Sequence, residues 1–109
     1  YQLHVDLVSY LESIGVKPII IDSKRILLNP EKALVELCEK ISIAFDPDML
    51  SWEMGSRPED GVWSKYWYGN VHKSKGFMNY NPKLDPFPEH LKPLLEECNI
   101  CYQKLVQLI

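Results

Sequence analysis

No apolar run in this sequence approaches the ~20 residues that a membrane-spanning helix needs. The strongest one, residues 18–22, holds three isoleucines between Pro18 and Asp22. The first residues also lack the basic-then-apolar design of a secretory signal, so the expectation is a cytoplasmic protein with no membrane partner. Cysteine is scarce: Cys38, Cys98 and Cys101 form an odd set without the spacing of a disulfide scaffold, which predicts reduced thiols. Of the five glycines, none stands in a GxxxxGK[ST] phosphate loop between a strand and a helix. Metal patterns are missing as well, since no EF-hand loop, paired-carboxylate site or second CxxC accompanies the residues that could ligate. One further gap is local. Residues 61–84 contain no Asp or Glu, yet Lys65, Lys73, Lys75 and Lys83 lie within them.

What is present concentrates in the same place. Residues 45–77 carry all three tryptophans and four of the five glycines. The chain has a net charge of −3, so an acid-free stretch with clustered cations focuses a positive field against an acidic background and forms a candidate anion site. At 109 residues, 46% hydrophobic and 25% charged, the composition is that of an ordinary globular chain of single-domain length.

Apolar periodicity predicts three helices. The first covers residues 2–14, with Leu3, Leu7, Val8, Leu11 and Ile14 on one stripe and Gly15 as the C-terminal cap. The second covers residues 30–43, opened by Asn29 and Pro30. The third covers residues 89–108, where Cys98 and Cys101 fall on the apolar face and are expected to pack rather than react. Residues 16–22 are β-branched and apolar at consecutive positions, the pattern of a strand buried on both faces. Met49, Leu50 and Trp52 are expected on a short helical turn, residues 62–71 on a short irregular helix, and residues 79–88 in an extended connector. A lone buried strand needs neighbours for its backbone groups. Either it pairs with a second copy or another chain, or, the reading favoured here, the chain is the C-terminal part of a larger α/β domain, a single partial domain over 1–109.

Two sequence blocks carry a family resemblance. The first, IIIDSKRILLNPEKALVELCEKISIAFDPDML, and the second, SWEMGSRPEDGVWSKYWYGNVHKSKGF, together resemble the C-terminal half of P-loop sulfotransferase-family proteins. The second block is similar to a branch that also occurs alongside branched-chain aminotransferase-like sequences. The resemblance implies the helix-rich C-terminal part of a three-layer P-loop α/β fold, mostly helical with one main strand. It also implies transfer of a sulfuryl group from 3′-phosphoadenosine-5′-phosphosulfate (PAPS) to a hydroxyl or amine of a small-molecule acceptor, without a metal. The phosphosulfate loop and the family's usual base have no counterpart in these residues, so the segment by itself is expected to be inactive and to pack against an N-terminal α/β half.

The resemblance further implies that Lys73, Ser74, Lys75 and Gly76 correspond to the loop that closes over the cofactor's 3′-phosphate. Arg57 is a second candidate for a phosphate, the alternative being a surface pair with Glu59 or Asp60. Trp52, Trp63 and Trp67 are candidates for stacking on a purine or an acceptor ring, Trp63 and Trp67 on the acceptor, against the alternative of core packing with one hydrogen bond. No catalytic residue is assigned. His72 is a candidate for proton transfer or an anion contact, the alternative being a structural hydrogen bond. A non-enzymatic helical module that uses the Trp-rich segment as a binding surface remains the rival reading. Four clustered lysines without a known RNA- or DNA-binding motif do not support a nucleic-acid partner.

Overall fold

A computed structural model describes all residues from Tyr1 to Ile109. Five α-helices form in chain order: α1 Gln2–Ser13, α2 Ser23–Leu28, α3 Pro30–Lys40, α4 Ser64–Trp67 and α5 Lys92–Val106. Single 3-10 turns at Pro47–Leu50 and Glu89–Leu91 complete the regular structure. The chain divides into two compact units, one formed by Tyr1–Asp22 with Pro82–Ile109 and the other by Ser23–Asn81.

In the first unit α1 packs on α5. Val8 and Cys101 are its buried residues, and the rings of Tyr1 and Tyr102 meet edge to face at 6.3 Å. The end of α1 follows from Gly15, whose φ of 77° lets the chain turn back. The N–H of Gly15 then donates to the Glu12 carbonyl at 3.0 Å and that of Val16 to the Leu11 carbonyl at 2.9 Å. These two bonds are a Schellman closure, and they satisfy two carbonyls that the helix end would otherwise leave open. Tyr102 Oη donates to Asp22 Oδ2 at 3.0 Å, tying the far end of residues 16–22 to α5.

In the second unit α3 opens as the sequence predicts: the Asn29 side chain accepts from the Lys32 N–H at 3.1 Å, and Pro30 stands at the first helical position. Its far end uses the same closure as α1 with Ser42 in place of glycine, at φ 59°. α2 lies against α3, with an Arg25–Glu36 ion pair at 3.3 Å that is exposed and contributes little. Cys38, the most buried residue of the chain, sits between α3 and the Pro47–Leu50 turn, its Sγ 3.9 Å from Met49 Sδ. All three cysteines are free thiols.

Two expectations need correction. Residues 16–22 form no strand. The chain's single β-contact is an isolated antiparallel bridge between Ser51 and Gly76, and Ile19 and Ile21 are 42% and 49% exposed rather than buried on both faces. A strand exists only through the ladder it joins, and no other segment here supplies one. The fold is therefore helix-rich and almost strand-free. Second, the stretch before Asn29 contains a helix, α2, where apolar periodicity predicts none. Six residues are too few to show a period against the background, and this helix rests on α3.

Candidate functional site

The Trp-rich segment of the second unit closes on itself. Residues 51–60 run out, α4 makes one turn, and residues 72–77 return beside the first stretch. The Ser51–Gly76 bridge is extended by a hydrogen bond from Trp52 N–H to the Lys75 carbonyl at 3.1 Å and another from Gly55 N–H to the His72 carbonyl at 2.8 Å. Gly76 permits this approach, since a Cβ there would stand 2.9 Å from the Leu50 carbonyl oxygen. Here the absent side chain is required by the neighbouring backbone, not by a left-handed φ.

Side chains reinforce the closure. Trp52 Nε1 donates to Ser74 Oγ at 3.0 Å, and the Ser74 hydroxyl donates to the Val71 carbonyl at 2.7 Å. Its one proton is thus directed within the loop. The Trp52 ring meets Phe77 edge to face at 5.5 Å. On the other side, Asp60 Oδ2 accepts from the Arg57 N–H at 2.9 Å and lies 2.8 Å from His72 Nε2. Those partners, the Arg57 N–H foremost and the His72 side chain next, hold the Asp60 carboxyl below its ordinary value of 3.8, while desolvation opposes them. An ionised carboxylate can only accept, so Nε2 of His72 carries the proton toward it, whatever the charge of the ring. The edge of His72 also meets the Tyr68 ring at 5.9 Å.

Two cavities result. One, of about 490 Å³, is lined by Asn70, Lys73, Ser74, Lys75, Gly76, Phe77 and Met78. It brings together the four residues Lys73 to Gly76. Neither lysine has an acidic partner, and the backbone N–H groups of Lys75 and Gly76 bond to no other protein group. Two cations and two available N–H donors around one concavity are suited to an oxyanion. Arg57 is not among these residues. It lines the other cavity, of about 400 Å³, with Trp52, Tyr68, Asp60 and His72, and its guanidinium pairs with neither Glu59 nor Asp60. Trp63, the N-cap of α4, and Trp67, its last residue, stack at 6.0 Å with their planes 20° apart and are 63% and 75% exposed. They are therefore not packed into a core within this chain.

Sequence reasoning did not find Asp60 as the residue that joins His72 to the turn at Arg57. Its local half was visible, because an Asp three residues after Arg57 in a Pro-containing turn is well placed to cap the N–H it follows. The twelve-residue reach to His72 has no sequence period. The Trp52–Ser74 bond, across twenty-two residues, has none either. No group of His, Cys, Asp or Glu side chains is arranged to hold a metal ion, and no helix is long and apolar enough to cross a membrane.

Comparison with known proteins gives one family and two relatives. Residues 8–105 match the sulfotransferase domain family. The chain is 40% identical over 101 residues to the branched-chain-amino-acid aminotransferase-like protein 2 of Arabidopsis thaliana, covering 93% of this chain and 18% of that protein. It is 42% identical over 94 residues to the branched-chain-amino-acid aminotransferase-like protein 1 of the same plant, covering 84% of this chain and 17% of that protein. The chain thus spans less than a fifth of the length of either relative. No solved structure matches it.

Proposed function

Because the chain belongs to the sulfotransferase domain family, we propose that it is the C-terminal portion of a domain that transfers a sulfuryl group from PAPS to a hydroxyl or amine of a small molecule. In this reading Lys73, Lys75 and Gly76 receive the 3′-phosphate of the nucleotide, the lysines through charge and the loop through its N–H groups. Ser74 contributes by holding the loop's shape, its hydroxyl proton being directed to Val71. Negative charge that develops during sulfuryl transfer is best met by donors fixed in advance, and this loop is fixed by several hydrogen bonds. Arg57 offers a second cation and His72 a proton-handling group at the neighbouring cavity, while Trp63 and Trp67 face the acceptor. The phosphosulfate-binding loop lies outside these residues. The uncovered apolar side chains of Leu3, Ile19, Ile21 and Leu94 suit packing against an N-terminal α/β half, with a cytoplasmic setting and no metal or nucleic acid.

The observation that carries this reading is the pair of unpaired lysines beside two unbonded N–H groups around one cavity. The test is the dissociation constant for 3′-phosphoadenosine-5′-phosphate, measured by calorimetry on the full-length protein at fixed salt, since exposed charges are screened. Lys73→Ala/Lys75→Ala is expected to lose about 1.5–3 kcal/mol for each charge-assisted hydrogen bond removed, with an almost unchanged melting temperature. An unchanged constant rejects the anion loop.

The exposed, stacked Trp63 and Trp67 favour a second reading, in which α4 is a binding surface of a non-enzymatic helical module. A full-length protein that shows no sulfuryl transfer and no nucleotide binding, but loses a partner on Trp67→Ala, would favour that module.

A further inference from the structure

Lys73 lies between two sets of hydrogen bonds that come from the same preceding stretch. On its N-terminal side, His72 is held twice: its carbonyl accepts from the Gly55 N–H at 2.8 Å, and its ring meets Asp60 Oδ2 at 2.8 Å. On its C-terminal side, Trp52 reaches both following residues, with its indole N–H on Ser74 Oγ at 3.0 Å and its backbone N–H on the Lys75 carbonyl at 3.1 Å. Asp60 is itself fixed by the Arg57 N–H. Neither Trp52 nor Asp60 lines the cavity around Lys73 and Lys75, so neither can contact an anion held there. Yet the two exposed lysines make no ion pair of their own, so where their ammonium groups can reach is set by the backbone that carries them. A backbone already fixed on both sides of Lys73 removes the backbone part of the ordering cost that binding would otherwise carry.

We infer that Trp52 and Asp60 are positioning residues for the basic loop, which hold Lys73 and Lys75 in register for an anionic ligand without touching it. The inference rests on the anion-loop reading proposed above. Its consequence is that the loop loses affinity when either residue is altered although every one of its positive charges remains. A charged ligand's attraction to a disordered basic segment is weakened by the cost of ordering that segment at the moment of binding.

The experiment measures binding of 3′-phosphoadenosine-5′-phosphate by the full-length protein labelled with 15N at its tryptophan indoles. The Trp52 resonance is identified by its loss in Trp52→Phe, a variant that keeps a ring against Phe77 and removes the donor to Ser74. Wild type should show a shift of the Trp52 indole signal on adding nucleotide. Trp52→Phe and Asp60→Ala should each bind about tenfold more weakly, the equivalent of one lost charge-assisted hydrogen bond. Asp60→Ala should also move the Trp52 indole signal in the free protein. Asp60→Asn, which keeps an acceptor for Arg57 and His72, should restore most of the affinity, a rescue that loss of fold would not give. If Lys73→Ala/Lys75→Ala weakens binding while Trp52→Phe and Asp60→Ala bind like wild type, the positioning role is wrong and the anion loop stands. If the double lysine variant binds like wild type, the anion loop falls and the positioning role with it. An Asp60→Asn variant as weak as Asp60→Ala, with its fold intact, would trace the effect to the carboxylate's charge and overturn the acceptor role.

Discussion

Trp52 and the pair Trp63 and Trp67 sit within sixteen residues of one another, and the fold treats them in opposite ways. Trp52 is half-buried, with its indole N–H on Ser74 and its ring against Phe77. Trp63 and Trp67 stack on each other and leave most of their surface to solvent, and their indole N–H groups have no protein partner. A residue of the first kind is explained by the loop it closes. Residues of the second kind are not explained by anything in this chain, since a stacked, exposed pair contributes little to folding and much to a surface another molecule can use. A Trp-rich segment is therefore two features: a clasp that organises the basic loop, and an aromatic face set on one helical turn.

The comparison breaks most clearly at the tryptophans themselves. Trp52→Ala removes a half-buried ring and leaves Ser74 Oγ without its donor, and is expected to cost about 2–4 kcal/mol of stability. Trp67→Ala removes one exposed partner of a stacked pair and is expected to cost below about 1 kcal/mol. Chemical denaturation of both variants measures the difference. Equal costs would mean that α4 is packed more firmly than its exposure indicates, and the division into clasp and face would fail.

A glycine comparison sharpens the boundary of the clasp. An added Cβ at Gly76 would stand 2.9 Å from the backbone oxygen of Leu50, whereas at Gly61 and Gly69 it would meet nothing within 4 Å. The clashing atom belongs to backbone, so it cannot swing aside as a side-chain end would. Gly76→Ala is expected to destabilise by about 1–3 kcal/mol. Gly61→Ala and Gly69→Ala flank the aromatic turn without crowding it and should be neutral or stabilising by up to about 1 kcal/mol through the unfolded chain. Thermal melts of the three variants decide the matter, and a harmless Gly76→Ala would show that the Ser51–Gly76 contact is loose in solution.

The same contrast explains what could be read from the sequence. Helices α1, α3 and α5 were legible because a period of 3.6 and a cap are local signals: Gly15 closes α1 and Asn29 with Pro30 opens α3 as their types predict. The apolar run at residues 16–22 misled because strand character depends on a partner, and periodicity says nothing about whether one is present. At the site, residue type and charge single out the acid-free stretch, whose consecutive Lys73, Ser74, Lys75 and Gly76 line one cavity. They could not reveal Trp52 and Asp60, whose roles arise from contacts twenty-two and twelve residues away. Arg57 has the chemistry expected of an anion ligand, but its place in the chain puts it at the other cavity.

The smallest effect expected is on pH, and it belongs to the clasp alone. Asp60 is held below its ordinary value of 3.8 in the folded chain, first by the Arg57 N–H and then by His72. The unfolded chain therefore takes up this proton at a higher pH than the folded one, and linkage makes stability rise with pH in the interval between the two values. The Asp60 contribution is complete above about 3.8, the unfolded value, declines as the pH falls through the lower folded value, and is absent below both. Denaturation curves of wild type and Asp60→Asn should accordingly differ at pH 6 and converge as the pH is brought toward 3 and below. The Trp52 signal should report the change, because the clasp loosens there, while Trp63 and Trp67, with no link to Asp60, should not respond before global unfolding. A stability difference that stays constant down to pH 2 would show that Asp60 acts through shape and not through its ionised hydrogen bonds.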